Sequence, residues 1–163
     1  MKRARVGIIA AAIFAVASVA FAQKPDFSGA WTLDAEASGV AAPGGGGRGG
    51  GRGGGGGLGN GGTIKQTADT LTIERTMGEN KVTLTYKLDG TESKNTMMGR
   101  GGMAMESVSA AKFDGSKLVI TTKQDMGGQM VETIQTWTLA GSVLTVESTG
   151  GRGPQKRVYK KTT

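Results

Sequence analysis

The chain has 163 residues, of which 20 are basic and 13 acidic, and it contains no cysteine and no histidine. These absences exclude a Ser-His-Asp triad, a Cys-His pair, and any metal site built from imidazole or thiolate ligands. They also exclude disulfides, so the fold depends on its hydrophobic core. Without the three basic residues at positions 2, 3 and 5, 17 basic and 13 acidic side chains give a net charge of +4. Such a surface is mildly basic and is not typical of proteins that bind polyanions.

The first 22 residues have the three parts of a secretory signal segment. A basic start precedes an apolar run from Val6 to Phe21, and Ala20-Phe21-Ala22 supplies small residues before the cleavage position. The run is shorter than the roughly 20 residues of a membrane-spanning helix. We therefore expect residues 1–22 to be removed during export. Residues 23–163 would then form one periplasmic or secreted domain without a transmembrane anchor.

The segment from Asp26 to Asp34 predicts the first strand. Trp31 and Leu33 alternate with polar residues, and Gly29 precedes the tryptophan by two positions. A glycine at that spacing lets the large ring fold across a neighbouring strand. Residues 35–40 then predict a turn or a single helical turn.

A glycine tract follows. Residues 44–62 contain 15 glycines in 19 positions, and this composition predicts a disordered loop over residues 41–62. Arg48 and Arg52 within the tract, like Arg100 further on, lie in Arg-Gly-Gly segments that resemble RNA-binding sequences. No aromatic residue is interleaved with the first two segments, so we interpret the tract as a spacer and expect no nucleic-acid partner.

From Thr63 onward, apolar and polar residues alternate with a period of two, and turn residues interrupt the pattern every 8–12 positions. Residues 82–88 are the clearest half-buried strand, and Asp89-Gly90 and Asp114-Gly115 are hairpin signals. The pattern predicts an all-β protein, an antiparallel up-and-down meander of about 8–10 strands. Closure into a barrel is favoured because it removes exposed edges, and a β-sandwich is the alternative.

The two ends of the domain carry a family resemblance. Phe27-Ser28-Gly29-Ala30-Trp31-Thr32-Leu33 resembles the first-strand motif of the calycins, which include lipocalins and fatty-acid-binding proteins. The same start, together with Trp137-Thr138-Leu139 and Leu144-Thr145-Val146-Glu147, is similar to small exported lipocalin-like proteins of bacteria. The resemblance implies a barrel that Gly29 and Trp31 help to close, with Arg157 packed against the Trp31 ring.

A lipocalin-like barrel implies a non-enzymatic protein that binds a small apolar or amphipathic molecule in its interior. Five residues on the predicted inward faces are the candidate pocket: Leu84, Tyr86, Leu118, Ile120 and Trp137. A solid barrel that serves as a structural or interaction module is the alternative. Methionine thioethers select Cu(I), so a third hypothesis is a Cu(I) site. Its candidate ligands are Met97, Met98, Met103 and Met105. No other cofactor is expected.

Overall fold

The computed structural model describes residues 24–40, 57–77, 79–98, 104–150 and 153–162. The predicted signal segment, most of the predicted glycine loop, and Met103 lie outside these residues. The described elements are one short helix and ten strands. Their bounds are β1 Gly29–Asp34, α1 Ala35–Ser38, β2 Gly61–Gln66, β3 Thr70–Met77, β4 Asn80–Lys87, β5 Asp89–Met98, β6 Ala104–Asp114, β7 Lys117–Asp125, β8 Met130–Ala140, β9 Val143–Thr149 and β10 Gln155–Thr162.

The strands form a single antiparallel sheet in the order β4-β3-β2-β1-β10-β9-β8-β7-β6-β5. Except at the β4–β5 junction, every strand pairs with its neighbour in sequence, and β1 pairs with β10, so the meander curls into a nearly closed barrel. The predicted all-β up-and-down fold is confirmed, and the single continuous sheet excludes the sandwich. The predicted helical turn is α1, where the Asp34 carboxylate accepts a hydrogen bond from the Ala37 amide at 3.0 Å. No helix in the described part of the chain is long and apolar enough to cross a membrane.

The barrel closes differently between β4 and β5, where the hairpin predicted from Asp89-Gly90 is wrong. The chain turns sharply at Leu88, but β4 and β5 are the two edge strands of the sheet and do not pair with each other through a backbone ladder. Side chains of β5 bridge the seam instead. Asn95 accepts from the Thr85 amide at 2.8 Å and donates to the Thr85 carbonyl at 3.1 Å, and Ser93 accepts from the Lys87 amide at 2.9 Å. On its other side, β5 pairs with β6, and a β-bulge between Asp89 and Glu92 shifts the register of that pairing.

One end of the barrel, which we call the floor, contains the β2–β3, β6–β7 and β8–β9 turns. The segment before β1 crosses it and brings Phe27 into the core, where the ring is fully buried. Phe27 stacks on Phe113 at a centroid distance of 6.3 Å and meets Trp137 edge-on at 5.9 Å. The Trp31 indole N–H donates to the Phe27 carbonyl at 2.8 Å. These aromatic contacts seal the floor against water.

The opposite, upper end contains α1 and the last residues of the predicted glycine loop. Residues 57–62 are described as a turn followed by the start of β2, and they do not continue the predicted disorder. Leu58 is buried, the Gly61 amide donates to the Leu58 carbonyl at 3.0 Å, and the Leu33 amide donates to the Asn60 carbonyl at 3.1 Å. Burial of one apolar side chain and these backbone hydrogen bonds offset the entropy cost of ordering glycine.

Candidate functional site

The five predicted pocket residues all lie inside the barrel. Each is at most 1% exposed, and all belong to one continuous hydrophobic cluster. Leu118 and Trp137 are direct cross-strand neighbours on β7 and β8, and Leu84 pairs with Ile73 on β3. The alternation that placed these side chains inward is therefore correct. Their contact with a ligand stays a prediction.

Two arginine side chains also point into the barrel. Arg75 follows Leu71 and Ile73 on the inward face of β3, and Arg157 pairs with the buried Val146 across β9 and β10. Among the described residues, no carboxylate forms an ion pair with either guanidinium. The Nε of Arg75 is buried without a hydrogen-bond partner in this part of the chain. Its Nη2 donates to the Met97 sulfur at 3.5 Å, which is a weak acceptor.

Burial lowers the pKa of the Arg75 guanidinium below its ordinary value, and the nearby charge of Arg157 acts in the same direction. Arginine nevertheless remains protonated in proteins, so the upper half of the barrel contains two positive charges close together. An anion is the partner that such an arrangement lacks.

Two tyrosine hydroxyls approach the guanidiniums. Desolvation raises the pKa of Tyr86 and of Tyr159, so both phenols stay neutral and can donate hydrogen bonds. The Tyr159 hydroxyl donates to the Gly59 carbonyl oxygen at 3.0 Å, and Nη1 of Arg157 donates to the same oxygen at 3.3 Å. Arg157 and Tyr159, both on β10, thus donate to the same oxygen atom. Arg75 approaches the same region from β3.

The wall formed by β5 to β8 is polar where it faces this cluster. Seven buried polar side chains are described there: Ser93, Asn95, Ser107, Ser109, Thr122, Gln124 and Gln135. Ser109 and Thr122 share a hydrogen bond of 2.9 Å, and the Trp137 indole N–H donates to Gln135 at 3.3 Å. Buried polar groups cost stability unless they are hydrogen-bonded. The barrel therefore has an apolar half next to the floor and a polar, cationic half above it.

Of the residues expected to close the barrel, Gly29 and Trp31 lie near the floor, whereas Arg157 lies in the upper half. The cation over the Trp31 ring is the Lys161 ammonium, 5.7 Å from the ring centre, whereas Arg157 contacts Gly59. Gly29 has φ 134°, a conformation that favours glycine, and a Cβ there would collide with the Lys161 side chain. The pairing of Trp31 with Arg157 stays a prediction without an observed contact.

The methionine hypothesis is weakened by its surroundings. Met97 and Met105 face each other across β5 and β6, and Met97 packs against the core. Because the Met97 sulfur accepts a hydrogen bond from a guanidinium, a bound Cu(I) would meet a positive charge at this position. Met98 lies on β5, and the structure does not describe its side chain. Among the described residues, no group of three or more acidic side chains could hold a metal ion.

Sequence reasoning missed Arg75, Tyr159 and Leu58. Arg75 stands two positions after Ile73, and Tyr159 two after Arg157, so the same period-two pattern would have placed both inside the barrel. A charged residue that falls on an inward position was a usable signal. Leu58 had no comparable signal, because glycines surround it.

Comparison with known proteins identifies the fold and no family. No protein-family model and no curated protein matches the chain. Among solved structures, the REP1-NXSQ fatty acid transporter superposes with a TM-score of 0.53 at 15% identity, covering 83% of this chain and 96% of the other. A secretory abundant heat soluble protein from Ramazzottius varieornatus gives a TM-score of 0.51 at 17% identity, with 83% and 95% coverage. The likeness supports a lipocalin-like barrel.

If Arg75 serves to bind a ligand, its unpaired charge should lower the stability of the ligand-free barrel. Arg75→Met removes a partly buried charge, with its buried unpartnered Nε, while keeping an apolar stem of similar length. We expect the free energy of unfolding to rise by about 1–3 kcal/mol, as when other buried charges are replaced by apolar groups. Urea unfolding measures it. Lys81→Met, on the exposed face of β4, is the matched control and should change stability by less than about 0.5 kcal/mol. A less stable Arg75→Met protein would mean that the guanidinium is a structural group.

Proposed function

We propose that this protein is a non-catalytic carrier that binds an amphipathic carboxylate, such as a long-chain fatty acid, inside its barrel. The observation that carries the proposal is the pair of inward guanidiniums, Arg75 and Arg157, which have no carboxylate partner among the described residues. A ligand carboxylate would supply the missing charge, and its oxygens would accept hydrogen bonds from Arg157 and from the Tyr159 hydroxyl. Charge-assisted hydrogen bonds of this kind are about twice as strong as neutral ones.

The hydrocarbon part of the ligand would lie against the apolar half of the interior. Leu84, Tyr86, Leu118, Ile120 and Trp137 are the residues proposed to line it. Pockets for small molecules combine apolar walls with a few polar groups that fix orientation, and this interior has both. The name of one structural neighbour, a fatty acid transporter, supports the same ligand class. In a solid barrel that binds no ligand, two inward positive charges would lower the stability of the fold without serving a function.

The site favours binding over catalysis. The described residues at the cation cluster are arginine, tyrosine, glutamine, serine and threonine, and no nucleophile with an adjacent base occurs among them. Two structural neighbours with this fold are named as a fatty acid transporter and a heat soluble protein, which supports a binding role.

Export belongs to the same proposal. Residues 1–22 would be removed, and the carrier would work in the periplasm or outside a bacterial cell. N-terminal sequencing of the protein recovered from the exported fraction of an expressing bacterium tests this, with Gln23 expected as the first residue. Recovery of the chain in the cytoplasm with Met1 intact would contradict it.

Titration with oleate tests the ligand. Saturable binding is expected by calorimetry and by a change in tryptophan fluorescence, because Trp137 lies in the proposed pocket. Arg157→Gln removes one charge-assisted hydrogen bond of about 1.5–3 kcal/mol, so the dissociation constant for oleate should rise about 10- to 100-fold.

Oleyl alcohol is the matched control ligand, since it has the same chain without the charge. The Arg157→Gln change should not weaken the binding of oleyl alcohol, in contrast to that of oleate. Lys156→Gln, an exposed change one position away, should leave oleate binding unaltered. Oleate binding that is absent, or that is indifferent to Arg157, would contradict the proposal and favour the solid-barrel alternative.

A further inference from the structure

The segment of Leu58 and Gly59 lies inside the upper half of the barrel. The Leu58 side chain is 1% exposed and belongs to the hydrophobic cluster. The Gly59 carbonyl oxygen is the acceptor shared by the Tyr159 hydroxyl at 3.0 Å and Arg157 Nη1 at 3.3 Å. This segment therefore presents an apolar group and an oxygen acceptor side by side, which is the combination that an amphipathic carboxylate would bring.

The fit of the segment is tight at Gly59. Its backbone has φ 62°, in the left-handed region, and a Cβ there would lie 2.7 Å from Nη1 of Arg75. A Cβ on Gly57 would lie 3.2 Å from the Gln135 amide nitrogen. Both glycines thus pass close to polar side chains of the barrel wall, and the segment occupies space between the cation cluster and the polar wall.

We infer that Leu58–Gly59 is an internal plug that occupies the anion site when no ligand is bound and leaves it when a ligand carboxylate binds. The inference rests on the proposed function. The Gly59 carbonyl is neutral, so its hydrogen bonds with Arg157 and Tyr159 are weaker than those of an ionised carboxylate. A carboxylate can therefore displace it, whereas an uncharged lipid of the same length would have to compete without that advantage.

A plug of this kind sets the apparent affinity of the site. The observed dissociation constant equals the intrinsic constant divided by the fraction of molecules with the site vacant. A segment seated in about nine molecules of ten would weaken binding about tenfold. Changes that unseat the segment without replacing Arg75, Arg157 or Tyr159 should tighten binding.

Two variants unseat the plug by different means. Leu58→Ser removes its apolar anchor, and Gly59→Ala introduces a Cβ in a left-handed backbone against Arg75. We expect each to bind oleate more tightly, by about tenfold if the segment is seated in about nine molecules of ten. Gly115→Ala is the matched control, because Gly115 has φ 59° in the β6–β7 turn with no atom within 4 Å of its Cβ. It should lose similar backbone stability and leave oleate affinity unchanged.

Hydrogen–deuterium exchange gives a direct second measurement on the unaltered protein. Adding oleate should speed exchange in the peptide containing residues 57–62. The Gly61 amide donates a hydrogen bond to the Leu58 carbonyl, and this bond should be lost when the plug leaves its site. The strands should exchange more slowly at the same time. The two variants should show fast exchange in this peptide without oleate.

The outcomes separate the two proposals. Tighter oleate binding by Leu58→Ser and Gly59→Ala, with faster exchange at residues 57–62 on binding, supports the plug. Oleate binding with equal affinity in the original and both variants, or slower exchange at residues 57–62, overturns the plug and leaves the carrier function intact. Failure of the original and of both folded variants to bind oleate overturns the carrier function and the plug with it.

Discussion

Two inward, half-buried guanidiniums impose the constraint on which the interior of this barrel depends. Arg75 and Arg157 lie on the inward faces of β3 and β10, and arginine remains charged in proteins. Their attraction for an anion is strong where water is scarce, because a charge is screened less inside a protein than at its surface. The same scarcity of water makes an empty site costly. A neutral backbone carbonyl and a thioether offset only part of that cost.

The rest of the architecture keeps that space enclosed. The aromatic contacts of Phe27 seal the floor, and the pairing of β1 with β10 joins the two ends of the meander. The seam between β4 and β5 is the one junction that the described backbone ladders leave open, and Asn95 and Ser93 bridge it with side chains. Closure, floor and seam together complete the barrel around the cation cluster, whose two arginines remain partly exposed. The segment at Leu58 lies beside them at the upper end.

The architecture of the sheet followed from the sequence, because strand periodicity and turn residues are local signals. The inward positions of Leu84, Leu118 and Trp137 came from the same alternation. The seam did not, since Asp89-Gly90 has the composition of a hairpin turn, and the side-chain hydrogen bonds of Asn95 and Ser93 that replace the backbone ladder depend on tertiary packing. Leu58 was hidden for a related reason. Its local composition predicts disorder, and only the distant residues Arg157 and Tyr159, about a hundred positions away, give its neighbour a hydrogen-bond partner.

A crystal structure of the protein with oleate tests the central claim most directly. The account predicts a carboxylate oxygen within about 3 Å of an Arg157 Nη atom and the Tyr159 hydroxyl, the normal range for charge-assisted hydrogen bonds. The Gly59 carbonyl should have left that position, and the hydrocarbon chain should run toward Trp137. Oleate bound elsewhere, or bound in the barrel with its carboxylate away from both guanidiniums, would contradict the account.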